Sequence, residues 1–450
     1  MKAFFVSLFL LAVTYRTVAQ STPHVILISI DGFRPEMFTD KCWPSPNLQL
    51  LSKQGVYSTR NETVFPAYTY PAHTAMLTGA LPARSGIVHN VKNEKGDWYW
   101  YTKDIKVPTL WQAIKKNGMT SAAIEWPVSV DENIDYNIPE IWNAASPLDR
   151  ITEPRRHATA GLVEEIEANA TGKLDTSNMR DGVLSLDENS ARAAAWVFTK
   201  YKPSLLCVHF AEVDGMEHEH GRENDSVRIA LANADRGVGI LLEAISNAGM
   251  KDSTVIIITG DHGFSDIHTV FRPNMLTTGL DIKFKSSGGS AFLYAMRDIT
   301  GKDKRNQLEI LQRRLDSLPE QYKKDFRIMD RRELDALGSD SSALLALSAK
   351  PGFVFSAAVP ANTGPGTTIT QNNSNGFSSP TRGGHHGYDP RIPEMYTGFI
   401  AAGPGINTER RIERICVTDI AVLIAALLNI EFTTPDGKRV PGILKNVPGQ

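Results

Sequence analysis

The residues of this sequence best suited to chemistry are a threonine at a predicted helix start and acidic and imidazole side chains elsewhere in the chain. Thr69 comes shortly before Pro71, which fits a first helical turn because the amide hydrogen that proline lacks would have no partner there. Unpaired backbone N–H groups at a helix start also favour an anion. The stretch therefore predicts a hydroxyl nucleophile beside an anion site, although an ordinary helix N-cap has the same pattern.

Three other groups place carboxylates and imidazoles close together in the sequence. Asp214 and His218 have the i, i+4 spacing that one helical turn brings to the same face. Asp261 and His262 are adjacent after a predicted strand, and His386 lies in a glycine-rich turn. Each group also has a structural interpretation, as a surface ion pair, a strand-end turn or a solvated loop.

The types of side chain in these groups favour zinc. Carboxylates and imidazoles without thiolates suit a catalytic zinc site, and Cys42, Cys207 and Cys416 are too widely spaced for a cysteine-based one. A pair of cations about 4 Å apart stabilises the attacking and departing oxygens of a displacement at phosphorus. One of them would also lower the pKa of a bound hydroxyl, here that of Thr69.

A central sheet must bring these distant residues together. Residues 24–30 form a continuous apolar, β-branched run typical of a strand buried on both faces, and Asp31 follows it at once. Further strand-like runs follow at residues 119–124, 204–210, 253–259 and 396–402. Helical spacing of apolar residues occurs at 107–117, 184–201, 226–248 and 419–428. Ligand sites in such folds lie beyond the carboxyl ends of the strands, so Asp31, Asp214 and Asp261 should meet there.

This alternation predicts an α/β fold, with a mainly parallel central sheet flanked by helices on both faces. Lys2, the apolar run after it and the small residues before Gln20 predict a signal peptide over residues 1–19 rather than a buried helix, and hence a secreted or periplasmic protein. Residues 20–450 would form one catalytic domain. An insertion at about 270–385, with a helix at 306–318 and a polar loop at 362–382, would border the site.

Composition excludes several other classes of protein. The formal net charge of -2 gives no sign of a nucleic-acid-binding module. No segment after the signal peptide is long and apolar enough to span a membrane. The sequence leaves the oligomeric state open.

Taken in order, the motifs resemble those of a known family. They are Ile30-Asp31-Gly32-Phe33-Arg34, Thr69-Tyr70-Pro71, Asp214-(three residues)-His218, Gly260-Asp261-His262-Gly263 and His386-Gly387-Tyr388. This set is similar to that of the nucleotide pyrophosphatase/phosphodiesterase family (type I phosphodiesterases) of the alkaline phosphatase superfamily. The likeness spans residues 24 to about 405 and implies an alkaline phosphatase-like fold.

The resemblance implies two Zn²⁺ ions and a role for each matching residue. Thr69 would be the nucleophile. The ligands of the metal that activates it would be Asp31, Thr69, Asp261 and His262. The ligands of the second metal, which activates the water of the second step, would be Asp214, His218 and His386.

Other positions near these residues also carry expectations. Asn90 would donate to a phosphoryl oxygen or, alternatively, be a turn residue. Tyr70 would contact the nucleoside side of the substrate or else pack in the core. His385 and His220 are interpreted as neighbours of ligands rather than ligands. Ala72 stands where the family commonly has asparagine, which weakens the case for a nucleotide as natural substrate.

The sequence therefore predicts a di-zinc hydrolase of phosphodiester or pyrophosphate bonds that acts on a small phosphodiester or nucleotide through a covalent threonine intermediate. One alternative is a phosphomonoesterase or phosphonate hydrolase, in which Arg34, Lys92 or Arg382 would supply additional charge. Another is a non-catalytic metal-dependent binding protein, although this chain retains the nucleophile and the ligands. A sulfatase is set aside because Pro46 stands where a signature beginning at Cys42 needs arginine.

Overall fold

The computed structural model describes residues 24–92, 96–357, 377–378 and 383–445. The predicted signal peptide (1–19) and most of the polar loop at 362–382 lie outside these ranges and remain predictions. Among the described helices, none combines the length and the apolar character needed to cross a membrane.

Seventeen strands within the described ranges form two sheets. In chain order they are β1 His24–Ile30, β2 Val56–Glu62, β3 Ser121–Trp126, β4 Tyr136–Pro139, β5 Leu205–Phe210, β6 Thr254–Thr259, β7 Ser265–Phe271, β8 Ile282–Gly288, β9 Ser290–Ala295, β10 Phe326–Met329, β11 Leu345–Ala349, β12 Gly352–Ser356, β13 Phe377–Ser378, β14 Gly384–His385, β15 Thr397–Ala402, β16 Arg410–Arg411 and β17 Ile415–Cys416.

Fourteen α-helices accompany the sheets in the same part of the chain. They are α1 Glu36–Thr39, α2 Pro46–Gln54, α3 Thr69–Thr78, α4 Pro82–Ser85, α5 Leu110–Lys116, α6 Thr152–His157, α7 Leu162–Ile166, α8 Ser185–Tyr201, α9 Glu212–His220, α10 Asp225–Asn247, α11 Gly301–Asp316, α12 Glu320–Lys323, α13 Arg331–Ala336 and α14 Asp419–Leu427.

The first sheet has the order β16-β2-β15-β6-β1-β5-β3-β4, with β17 beside β2. All pairs from β6 to β4 are parallel, which confirms the predicted mainly parallel sheet. Strand β15, predicted at 396–402, lies between β6 and β2 and runs antiparallel to both.

The two faces of β1 explain its continuous apolar sequence, because neighbouring side chains of a strand point to opposite faces. Ile26 and Ile28 belong to an apolar cluster that includes residues of α8 and α10. Val25 and Leu27 belong to a second cluster that includes residues of α3, α5 and α14. Helices therefore cover both faces of the sheet, as predicted.

The second sheet is built from residues 265–385 in the order β10-β11-β9-β8-β12-β7-β13, with β14 beside β7, and most of its pairs are antiparallel. Its strands come mostly from the residues predicted to form an insertion (about 270–385), which stays a prediction as an insertion, and α11 overlaps the helix predicted at 306–318. The phenyl rings of Phe292 and Phe65 are 5.2 Å apart, and Ser290 Oγ lies 3.1 Å from Tyr68 Oη. The second sheet thus contacts the segment that leads into Thr69, while the single-domain organisation over 20–450 stays a prediction.

Replacing Ile28 by alanine should destabilise the fold strongly. The side chain is fully buried in the central strand, so its loss leaves a cavity that costs roughly 2–5 kcal/mol in the free energy of unfolding. The same substitution at Ile229, which is 56% exposed on α10, should change it by less than about 0.5 kcal/mol. Urea unfolding measures both, and equal effects would contradict this assignment of the core.

Candidate active site

The carboxyl ends of three neighbouring strands carry the aspartates singled out in the sequence. Asp31 follows β1, and Asp261 lies two residues beyond β6. Asp214 is on α9, the helix that follows β5. Because β6, β1 and β5 are adjacent and parallel, these residues lie at the same end of the sheet.

One half of the site surrounds the Nε2 atom of His262. This atom lies 3.3 Å from Asp31 Oδ1, 3.2 Å from Asp261 Oδ2 and 3.4 Å from Thr69 Oγ1. The other ring nitrogen, Nδ1, is 3.3 Å from the Gly263 carbonyl oxygen, to which it donates a hydrogen bond. A neutral imidazole then has its lone pair on Nε2, where the three oxygens converge.

The other half of the site repeats this arrangement around Asp214. Its Oδ2 is 3.4 Å from His218 Nε2, and its Oδ1 is 3.9 Å from His386 Nε2. Both imidazoles donate through Nδ1 to a backbone carbonyl, that of Gly384 at 3.2 Å and that of Ala67 at 2.8 Å. Both Nε2 atoms are therefore available as ligands.

The two halves are in direct contact. His262 Nε2 lies 4.0 Å from Asp214 Oδ1, and the rings of His262 and His386 stack 3.7 Å apart. His385, predicted to be a neighbour, also places a ligand atom within 4.8 Å of ligand atoms of His218 and His386. His220, the other predicted neighbour, contacts Glu219 at 3.9 Å.

The donor set fits divalent cations. Three carboxylate oxygens, Asp31 Oδ1, Asp214 Oδ1 and Asp261 Oδ2, are buried without a hydrogen-bond partner, which is costly unless a cation compensates them. Burial, followed by the charges of Asp261 and Asp214, raises the pKa of Asp31 well above its ordinary value. Burial lowers the pKa values of His262 and His386 well below theirs. Burial thus favours the neutral form of these two imidazoles, which is the form that binds a metal.

Thr69 is the first residue of α3, and Pro71 lies in the first turn as predicted. All residues of this helix are buried, and Thr69 is 8% exposed. Its carbonyl oxygen accepts a hydrogen bond from His73 Nδ1 at 2.8 Å. The hydroxyl is therefore held at the edge of the acidic and imidazole cluster by a helix that is itself fixed in the core.

Tyr70, which follows Thr69 in the chain, is hydrogen-bonded to Asn90. Tyr70 N donates to Asn90 Oδ1 at 3.0 Å, which leaves the Asn90 amide hydrogens for another acceptor. Tyr70 is fully buried, its Oη donates to Glu140 at 3.2 Å, and its ring packs 5.1 Å from that of Trp98. This is the core packing that was its alternative role, and contact with substrate stays a prediction.

His209 was not predicted to belong to the site, but its Nε2 lies 3.2 Å from Asp31 Oδ2. Although burial alone would lower it, the pKa of His209 is raised well above its ordinary value by hydrogen bonds to Asp31 and Glu140. The signal was a histidine near the end of the apolar run 204–210, where a buried polar group needs a partner.

The model of the family described as type I phosphodiesterase/nucleotide pyrophosphatase matches residues 25–389. The chain belongs to this family. As a type I phosphodiesterase, it is a hydrolase that acts on phosphoric ester bonds.

One sequence relative and two solved structures match this phosphodiesterase over most of both chains. Rat ectonucleotide pyrophosphatase/phosphodiesterase family member 7 is 24% identical, over 95% of this chain and 87% of its own. The structure of murine ectonucleotide pyrophosphatase/phosphodiesterase 5 matches with a TM-score of 0.67 at 20% identity, covering 94% of this chain and 100% of that one. An inactive threonine-to-alanine variant of the murine protein, in complex with AMP, matches with a TM-score of 0.66 at 20% identity, covering 92% and 97%. These matches confirm the predicted alkaline phosphatase-like α/β fold.

In the metal-free phosphodiesterase, the contribution of Asp261 to stability should fall as the pH rises from about 4 to about 7. Burial, with a further contribution from Asp214, raises the pKa of Asp261 to about 7. The folded state therefore binds a proton that the unfolded state has released, and this stabilisation is lost through that window. Asp261→Asn should flatten the slope by up to roughly 1.4 kcal/mol per pH unit.

Thermal unfolding of both proteins in chelator, at several pH values, measures the two slopes. Asp261→Asn is suited to this comparison because its side-chain oxygen can still accept the hydrogen bond that Gly32 N donates to Asp261 Oδ1 at 3.2 Å. Identical slopes in the two proteins would contradict the raised pKa.

Proposed function

We propose that this protein is a di-zinc phosphodiesterase/nucleotide pyrophosphatase that works through a covalent threonine intermediate. The observation that carries the proposal is the position of Thr69 Oγ1, 3.4 Å from His262 Nε2 and thus beside the convergent carboxylate and imidazole ligands. A nucleophilic hydroxyl next to such a cluster suits in-line displacement at phosphorus.

The two halves of the site would each hold one zinc ion. The first would be held by Asp31, Thr69, Asp261 and His262, and the second by Asp214, His218 and His386. When bound, zinc supplies positive charge that lowers the pKa of the hydroxyl and stabilises the phosphoryl oxygens.

The reaction would proceed in two displacements at the same phosphorus atom. In the first, Thr69 loses its hydroxyl proton to water, Oγ1 bonds to phosphorus, and the bond from phosphorus to the leaving oxygen breaks. In the second, water attacks the phosphorus, the bond to Oγ1 breaks, and a proton from that water restores the hydroxyl. Asn90, oriented by the Tyr70 N–H, would donate its amide hydrogens to a phosphoryl oxygen.

The positively charged side chains of Arg34 and Lys92 are already paired with carboxylates, which favours a diester substrate over a monoester. A phosphomonoester carries more negative charge, so an enzyme for monoesters needs an additional cation near the phosphoryl group. Arg34 is engaged by three carboxylates, and Lys92 lies 2.5 Å from Asp104. Arg382, the third candidate, lies outside the described residues. We therefore assign a phosphodiester or pyrophosphate bond in a nucleotide or another small molecule.

The identity of that small molecule depends partly on position 72. Ala72 is fully buried in the apolar cluster around α3 and offers no amide group. We accordingly assign the bond class rather than a nucleotide in particular. The enzyme would act outside the cytoplasm, secreted or periplasmic, because residues 1–19 predict a signal peptide.

Thr69→Ala should abolish turnover of bis(p-nitrophenyl) phosphate, with kcat reduced by at least about 10³-fold, because the attacking oxygen is removed. Thr74→Ala is the matched control on the same helix, where the hydroxyl donates only to the Tyr70 carbonyl oxygen and activity should stay within about twofold. Normal turnover by Thr69→Ala would end the covalent mechanism, and faster hydrolysis of p-nitrophenyl phosphate by the parent enzyme would end the diester assignment.

Asn90→Asp should lower kcat by roughly 10²–10³-fold, because it replaces a hydrogen-bond donor to the phosphoryl oxygen by an anion. It keeps the oxygen that accepts from Tyr70 N, so the local backbone should hold. Asn143→Asp is the control, since Asn143 is exposed and its Oδ1 likewise accepts a backbone N–H, that of Ala145 at 2.8 Å. Steady-state kinetics in which both variants keep parental kcat would remove Asn90 from the mechanism.

A further inference from the structure

The two halves of the site are carried by different elements, and one buried ion pair joins those elements. Arg34 lies in the turn after β1, three residues beyond Asp31. Glu217 lies on α9 between Asp214 and His218. Arg34 Nε donates to Glu217 Oε1 at 2.6 Å, and the two side chains are 1% and 0% exposed.

The turn that contains Arg34 packs tightly against α9. A Cβ atom on Gly32 would lie 2.6 Å from Glu217 Oε2 and 3.5 Å from Asp214 Cα, so that only glycine fits there. Its φ of +70° also favours glycine. Gly32 N donates to Asp261 Oδ1 at 3.2 Å, which connects the same turn to the first half of the site.

The guanidinium of Arg34 is fixed from its outer side as well. Its Nη2 donates to the Arg222 carbonyl oxygen at 2.9 Å, and Nη1 pairs with Glu36 and with Glu223, the latter at 3.3 Å. These two carboxylates are 34% and 59% exposed, whereas Glu217 is inaccessible to water. Glu36 is half-buried and Glu223 is exposed, so water screens both of these pairs, and the fully buried pair with Glu217 is the one that sets the position of α9 relative to the turn.

We propose that the Arg34–Glu217 ion pair sets the spacing between the two halves of the site, which makes Glu217 a positioning residue for the zinc held by Asp214 and His218. This rests on the proposed di-zinc function. In the first half, Asp31 also contacts His209, and Asp261 accepts from Gly32 N. In the second half, His218 and His386 donate to backbone carbonyls, but the contacts of Asp214 are with ligand imidazoles, so its position depends on the placement of α9. Loss of Glu217 therefore weakens the second zinc position selectively.

Zinc titration of the chelator-treated full-length protein, followed by calorimetry and elemental analysis, tests this directly. Glu217→Ala should weaken one of the two zinc sites by roughly 10–100-fold, the usual effect of losing a residue that orients metal ligands, and leave the other nearly unchanged. Its kcat at limiting zinc should fall while KM changes little. Glu223→Ala, which removes a carboxylate from the same Arg34, should bind both ions like the parent.

Two further variants distinguish loss of the Arg34–Glu217 hydrogen bond from a general loss of folding. Glu217→Gln retains an oxygen that accepts from Arg34 Nε, so it should restore most of the affinity lost in Glu217→Ala. If Glu217→Ala does not fold, Arg34→Lys, which removes the Nε–H donor but keeps the charge, should show the same selective loss.

The zinc affinities of Glu217→Ala test the positioning role, whereas the zinc content of the parent protein tests the proposed di-zinc function. Equal weakening of both sites, or parental affinity at both in Glu217→Ala, would overturn the positioning role alone. A parent protein that binds fewer than two zinc ions would overturn both proposals.

Discussion

The burial of three neighbouring carboxylates, those of Asp31, Asp214 and Asp261, is the constraint on which the rest of the site depends. Each has a carboxylate oxygen that is buried and has no hydrogen-bond partner. Burial, rather than any one neighbour, is the largest cause of their raised pKa values. Such a group of acids is stable in ionised form only with positive charge at its centre, and the proposed zinc ions would supply it.

The fold enforces this crowding through its backbone. Three adjacent parallel strands end together, and β1 is covered on both faces, so the turn after it cannot move away from its neighbours. Backbone carbonyls of Gly263, Gly384 and Ala67 each take one ring N–H of a histidine, which directs the opposite nitrogen toward the acids. Thr69 is brought to the same place by a buried helix, and the second sheet contacts the segment just before it.

Local sequence patterns predicted much of this arrangement. The apolar run of β1 was predicted with its observed bounds, and the spacing of Asp214 and His218 correctly predicted a helical turn. Strand direction was harder, because a buried strand such as β15 has the same apolar sequence whether it runs parallel or antiparallel. Several strands of the second sheet were not predicted because they are short, as the four-residue strand β10 is, and short segments carry little periodicity.

Local sequence patterns do not predict contacts between segments that are distant in the sequence. His209 and Glu217 became visible only when the fold placed them beside Asp31 and Arg34, more than 170 residues away in sequence. Burial of Tyr70 likewise depends on Trp98 and Glu140, which no local pattern connects to it.

The most direct test of the central claim is a crystal structure of the zinc-loaded protein, with anomalous diffraction measured at the zinc absorption edge. We expect two anomalous peaks about 4 Å apart, one among Asp31, Asp261 and His262 and the other among Asp214, His218 and His386. A single peak, or peaks away from these side chains, would contradict it.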